Sequence, residues 1–360
     1  MNLKKILGIA SATTLAMVLA GCGPTNGDNR SYNVISQELI FDATGTVVDG
    51  VSVKDIIATD SGLTYLGMSF SNGGFVVLNE NNQTSYIHIV SGESGRSLAL
   101  TNDGKTLYMS STRYSGDDDL FTIFAFDTED GYTQKQKYAL PGDTWAPSIA
   151  LNSDSSKLYG VGYNGKFTET NLTTNKVKEI TITDWVNNGN VNMTSGKLSS
   201  DGTKLYFGGE NFWITDIDGS NAVMIDVNDS YVEQVTISKD DTRAYIAGGT
   251  ILSNRFLHIV DLTNNTIISS VDLTQSEDWS SWGAFRGLAV TSDKSKLFVT
   301  NKNDPDALFI IDLANDNVIT DVNITATNRE CVPDALELTD DESALYVGCS
   351  SGDVVKFNLD

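Results

Sequence analysis

The chain has 360 residues, with 47 Asp and Glu against 24 Lys and Arg, a formal net charge of −23. That balance excludes nucleic acid and anionic membrane surfaces as partners, because both need a basic footprint. Glycine is plentiful at 31, proline is scarce at 5, and no helical period runs past residue 21, so an all-β chain of hairpins is expected.

Met1–Lys5 carries two lysines, and Ile6–Ala20 is apolar with small residues. The apolar run is shorter than the roughly 20 residues a bilayer crossing needs, so it reads as an export signal rather than a spanning helix. Leu19-Ala20-Gly21-Cys22 resembles the signal box of bacterial lipoproteins at every position. The resemblance implies removal of residues 1–21 and lipidation of Cys22 as the first mature residue. The protein would then be extracytoplasmic, tied to a bacterial membrane by that lipid alone, since acyl chains anchor through buried CH₂ groups. Gly23 stands where an aspartate would signal inner-membrane retention, which favours the outer membrane or the cell surface. Residues 22–31, rich in Pro, Gly, Asn and Asp, read as a flexible tether, and 32–360 as the folded domain.

Val34–Phe41 is an isolated strand with no local partner. After it, one sentence is written seven times: an apolar strand, a polar turn carrying Asp, and an aromatic five residues on. The pairs are Asp60/Tyr65, Asp103/Tyr108, Asp154/Tyr159, Asp201/Tyr206, Asp240/Tyr245, Asp293/Phe298 and Asp341/Tyr346. Six intervals cover 281 residues, a mean period of about 47. With four strands per unit, that period predicts a seven-bladed β-propeller of antiparallel blades. The turn Asp bonds its own backbone, and the aromatic is expected to pack between blades. The last repeat stops one strand short, so Val34–Phe41 is expected to complete it and close the ring.

Leu297-Phe298-Val299-Thr300-Asn301, followed by Leu308–Leu313 and Asn317-Val318-Ile319, resembles the YVTN-type (WD40/YVTN-like) propeller repeat, as does Phe256–Leu262. Such repeats occur in surface and periplasmic proteins, and related seven-bladed rings include lactonases and non-catalytic subunits of redox enzymes. The resemblance therefore implies an architecture and not a reaction.

The chemistry is sparse. The two histidines, His88 and His258, sit inside predicted strands, and no haem-attachment, Walker, GxSxG or HExxH motif occurs. No cofactor is expected; Asp117, Asp118 and Asp119 are weak candidates for a loop-bound Ca²⁺. The residue seven before each turn Asp enters the innermost strand, which predicts a ring of Val53, Arg96, Pro147, Thr194, Glu233, Arg286 and Asp334 around one channel mouth. Trp145, Trp185, Trp279 and Trp282 lie in the connections that feed the same face. Arginine with aromatics is the composition of binding hot spots. The leading expectation is a non-enzymatic, monomeric binding or scaffold lipoprotein that holds a protein, peptide or glycan at this face. One alternative is a lactonase-like hydrolase with Glu233 and Asp334 as base or metal ligands; another is a redox-complex accessory subunit. With Cys22 lipidated, Cys331 and Cys349 remain, an even pair in an exported domain. They flank the last hairpin symmetrically, and an antiparallel register is expected to set them opposite each other as a disulfide.

Overall fold

The computed structural model describes residues 31–360 apart from 47, 70–73, 90–92, 114–120, 142–147, 163–164, 184–192, 228–230, 250–254, 273–284 and 302–306. The export signal, Cys22 and most of the tether lie outside the described residues. The described chain forms seven four-stranded antiparallel sheets, one per predicted repeat, arranged as a β-propeller with no helix among the described residues. The innermost strands are Ser52–Ala58, Glu93–Leu100, Ser148–Leu151, Gly196–Leu198, Tyr231–Ile237, Phe285–Val290 and Pro333–Leu338.

The core is not one mass but seven wedges, each closed by one of the repeated aromatics. Tyr65 of blade one packs with Leu98 and Leu107 of blade two. Phe298 of blade six packs with Leu345 and Val347 of blade seven, and Tyr346 of blade seven with Ile56 and Leu66 of blade one. All seven rings are buried, none more than 7% exposed. A sheet with two apolar faces can be stable only between neighbours that cover both, and the aromatic supplies the largest piece of that cover.

The turn aspartates shape the hairpins as expected. In blade four, Ser199 Oγ donates to Asp201 Oδ1 at 2.6 Å and the Thr203 N–H at 3.0 Å. These donors hold the Asp201 carboxyl down at about 2. Asp103, Asp240, Asp293 and Asp341 repeat the arrangement. The residue after the aspartate is left-handed, either Gly104 or Gly202, or else Ser155, Asp241, Lys294 or Glu342. Three of these non-glycines accept an N–H from the preceding blade's turn: Ser155 from Asn102 at 3.1 Å, Asp241 from Ser200 at 2.8 Å and Glu342 from Ser292 at 2.6 Å. The bond between turns offsets the cost of positive φ.

Blade one departs from the pattern. Its turn is one residue shorter, with the Thr59 N–H bonded to the Leu63 carbonyl where Thr101 reaches Thr106. Ser61, 2.9 Å from Thr59 Oγ1, takes the aspartate's place, so Asp60 is not the equivalent of Asp103.

Val34–Phe41 pairs antiparallel with Val354–Leu359 and closes the ring in blade seven. The join is locked by Asp353, which is buried. Its carboxylate accepts from Arg329 Nε at 2.7 Å, Arg329 Nη2 at 3.0 Å, the Ala43 N–H at 2.9 Å and Ser351 Oγ at 3.0 Å. Arg329 Nη1 also reaches Asp49 at 2.6 Å, which ties the N-terminal segment to the last blade. Cys331 and Cys349 are disulfide-bonded, with Cα atoms 5.1 Å apart. The expected direct opposition is corrected: Cys349 faces Pro333, so the bridge runs diagonally from just before the strand.

Two outcomes are expected on unfolding by denaturant. Asp353→Ala leaves Arg329 and the Ala43 N–H without their shared partner, and costs about 3 kcal/mol, the lower end for a broken buried pair because Arg329 is partly exposed. Replacing both Cys331 and Cys349 by Ser opens an 18-residue loop and costs about 3 kcal/mol. A loss under about 0.5 kcal/mol in either case contradicts the closure described here.

Candidate functional site

The seven innermost strands surround a central channel whose cavity is about 550 Å³. Where these strands begin, most carry a β-bulge, and the bulged residue is the charged one. Lys54 falls between the pairs Val53↔Met68 and Asp55↔Gly67. Glu233 falls between Val232↔Gly248 and Gln234↔Ala247, Arg286 between Phe285↔Asn301 and Gly287↔Thr300, and Asp334 between Pro333↔Cys349 and Ala335↔Gly348. Arg96 lies in the matching irregularity of blade two. An unpaired extra residue breaks the alternation of the strand and re-aims its side chain, here into the channel.

The expected ring is therefore present, with one correction. Because the turn of blade one is a residue short, Lys54 and not Val53 occupies the ring position; Val53 is fully buried in the wedge between blades seven and one. Arg96, Thr194, Glu233, Arg286 and Asp334 all line the channel as expected. Pro147, Trp145, Trp185, Trp279, Trp282 and Asp117–Asp119 lie outside the described residues.

Asp334 is the centre of one side of the mouth. Its carboxylate takes the Lys54 ammonium and the Ser52 hydroxyl, both from blade one, and Arg286 Nε of blade six at 3.3 Å. Gly287 allows that last approach, since a Cβ there would come within 2.2 Å of Leu336 Cβ. Burial pushes the Lys54 ammonium down; Asp334 opposes this, while Arg286 and Arg96 add to the push. Glu233 Oε2 accepts the Phe285 N–H at 2.8 Å, and Arg255 Nη1 stands 4.0 Å from its other oxygen.

A second tier lies three residues deeper, about 10 Å along the strand. It holds Lys197 and Glu337, while Asp55 lines the channel one residue past Lys54, between the two levels. Lys197 and Glu337 occupy the positions paired with the repeated aromatics Tyr206 and Tyr346, where other blades place Ile57, Ala99, Ala150, Thr236 or Ala289. Enclosure in the channel pushes the Glu337 carboxyl up to about 8, with Lys197 opposing and Asp55 and Asp340 assisting. Desolvation also raises Asp55, against the Leu98 N–H at 2.7 Å and Ser97 Oγ at 2.8 Å that its carboxylate accepts.

Asp55 begins a belt of cross-blade bonds. Ser97 Oγ accepts the Ile149 N–H at 3.3 Å, Ser148 Oγ donates to the Gly196 carbonyl at 3.1 Å, and Thr194 Oγ1 donates to the Val232 carbonyl at 2.7 Å. With Glu233 to Phe285 and the Asp334 contacts, the inner strands are tied blade to blade by side chains.

Sequence reasoning missed Lys54, Asp55, Lys197, Arg255 and Glu337. The signal for Lys197 and Glu337 was present, a charge nine residues before the marker aromatic. His88 and His258 do not line the channel; His88 stacks on Phe75 at 5.2 Å, and His258 Nδ1 meets Ser270 Oγ at 2.7 Å. Among the described residues no three His, Cys, Asp or Glu side chains gather as metal ligands.

The fold and channel define a seven-bladed β-propeller with a mixed-charge mouth. Among solved structures, the chain is similar to the β-propeller domain of Cps50 (Swd1) from Myceliophteria thermophila, at TM-score 0.67 and 10% identity, over 86% of this chain and 96% of that one. That likeness shows the fold alone. No protein-family model and no curated protein sequence matches the chain.

Glu337 gives a pH prediction. Its folded value lies above its ordinary 4.5, so the folded protein keeps a proton that the unfolded chain releases. Its contribution is fully present below about 4.5 and is lost as pH rises through about 8. The turn aspartates act oppositely and only in acid, since Asp201 titrates near 2. Glu337→Gln is therefore expected to melt above the wild type at pH 9 and to lose that advantage by pH 5. Parallel melting curves for the two proteins across this range contradict the assignment.

Proposed function

We propose that the protein is a non-enzymatic binding lipoprotein whose ligand docks over the channel mouth. The observation that carries this reading is the engagement of the two mouth carboxylates. Asp334 is shared by Lys54, Ser52 and Arg286, and Glu233 holds a backbone N–H beside Arg255. Carboxylates so held are poor general bases, which favours a binding face over a lactonase-like hydrolase. The propeller class commonly serves as a protein-binding scaffold. Arginines at a concave mouth are the material of hot spots, and Trp145, Trp185, Trp279 and Trp282 belong in sequence to the connections of this face.

The anchor fits the same reading. Val34 pairs with Leu359 and Phe41 with Val354, so the N-terminal strand enters at the turn face and runs toward the mouth. Tyr32 OH donates to Glu342 of a turn at 2.7 Å. A lipid on Cys22, joined by a tether of at most about 30 Å, would hold the turn face toward the membrane and present the mouth outward. The resemblance to lipoprotein signals and to YVTN-type repeats supports an extracytoplasmic, surface or periplasmic setting.

Two measurements test the proposal. Intact mass of membrane-extracted protein is expected to show an acylated chain beginning at Cys22; a soluble product with another N-terminus refutes the anchor. A photo-crosslinking amino acid at Thr194 of the mouth is expected to capture a discrete adduct in cells, while one at Asp130, an exposed residue beside the turn face, captures none. Adducts from Asp130 alone would place the binding face at the wrong end.

A further inference from the structure

We infer that a cleft between blades four and five, on the turn face, binds an alkylammonium group. The site is separate from the channel mouth and does not rest on it. The cleft measures about 400 Å³. It opens because the outer strand of blade four is only Val223–Ile225, where blade five has Thr266–Asp272. Asn221 interrupts the outer strand of blade four with a φ of 52°. The Gly219 carbonyl of the same hairpin is drawn off toward blade three, where it accepts the Thr183 N–H at 2.9 Å. Ile214, Val223 and Leu262 give the cleft an apolar lining, and Asp201 and Asp241 give it two carboxylates.

The next wedge shows which group belongs there. Lys294, the residue after the turn aspartate of blade six, crosses to blade five, where its ammonium meets Asp240 and, at 3.3 Å, Thr242 Oγ1. That contact holds the Asp240 carboxyl well below the usual carboxylate range. One blade back, Asp201 and Thr203 are the counterparts of Asp240 and Thr242, and in both pairs the threonine hydroxyl donates to the aspartate at 2.8 Å. The counterpart of Lys294 is Asp241, which instead accepts from the Ser200 N–H and hydroxyl. A second carboxylate thus stands where the next wedge has an ammonium, and Lys204 is turned to Asp216 at 2.7 Å.

Tyr206 supplies an independent observation. It lines the cleft, is 3% exposed, and its hydroxyl has no hydrogen-bond partner among the described residues. Burial, then Asp241 and Asp201, push the phenol up to about 12, so both carboxylates act on this oxygen. An ammonium has three donors and no acceptor, which matches two carboxylates and a phenolic oxygen. Its hydrocarbon stem suits the apolar lining, as lysine stems lie along apolar surface while the charged head stays in water. A calcium ion wants about six to eight oxygen ligands, and no three acidic or other metal-ligating side chains gather among the described residues. The net charge of −23 favours the approach of a cation.

The test titrates the folded chain, labelled at its Ile, Leu and Val methyls, by NMR with Nα-acetyl-lysine methylamide, its norleucine counterpart and cadaverine. The lysine compound is expected to shift the methyls of Ile214, Val223 and Leu262. It is expected to bind about tenfold more tightly than the norleucine compound, the scale of one charge-assisted hydrogen bond. Asp241→Asn keeps an acceptor for Ser200 but loses the charge, and is expected to weaken binding about tenfold. Asp241→Lys restores the ammonium that Lys294 gives the next wedge, and is expected to abolish the shifts in a chain that still melts cooperatively. Equal affinity for cadaverine and the lysine compound assigns the site to a lysine side chain of a partner, and cadaverine binding about tenfold more tightly assigns it to a free diamine. Equal binding of the norleucine compound, or the same shifts with calcium chloride, overturns the alkylammonium assignment. No shift of these methyls by either amine, or undiminished binding by folded Asp241→Lys, overturns the inference outright.

Discussion

Each blade lends one aromatic ring to its neighbour, and the rest of the structure depends on that loan. A four-stranded blade has two apolar faces and cannot cover either alone. Tyr65, Tyr108, Tyr159, Tyr206, Tyr245, Phe298 and Tyr346 each seat in the next blade, so seven local clusters replace a single core. Removing any one ring would open a cavity worth about 3–5 kcal/mol. Because the clusters form a closed circle, the weakest point is where the chain ends meet. There the N-terminal strand, the Arg329–Asp353 contacts and the disulfide all converge.

The same repeat that builds the wedges also builds the channel. The aromatic pairs across the hairpin with a residue of the innermost strand, which fixes what enters the deeper tier. Three residues earlier, the bulges turn charged residues inward at the mouth. Small residues opposite most aromatics keep the channel open, while Lys197 and Glu337 place charge in it. Side chains such as Asp55, Ser97, Ser148 and Thr194 then stitch blade to blade, so the polar lining is structural as well as available to a ligand.

Much of this was legible in the sequence. The spacing of seven aromatics specified the blade number, the orphan strand Val34–Phe41 specified ring closure, and the cysteine pair flanking the last hairpin specified a disulfide. Reading the mouth from the turn aspartate worked for Arg96, Thr194, Glu233, Arg286 and Asp334. It failed at blade one, because a turn shortened by one residue shifts every count made from Asp60, and moved the assignment from Lys54 to Val53. Counting from the aromatic fails in the same way, since Tyr65 lies beyond the shortened turn; only the residue that opens the turn, Thr59 in blade one and Thr101 in blade two, stands five residues after Lys54 and Arg96 alike. Arg255 was illegible for a different reason: it reaches Glu233 from a third strand, a contact that no local spacing encodes.

The central claim is that bulges turn charged side chains into the channel mouth, where Asp334 of blade seven joins Lys54 of blade one and Arg286 of blade six. A high-resolution crystal structure of the mouth tests it most directly. Lys54 and Arg286 are both expected on the Asp334 carboxylate, inside the channel. Either cation turned away from Asp334, with its strand running unbulged, would contradict it.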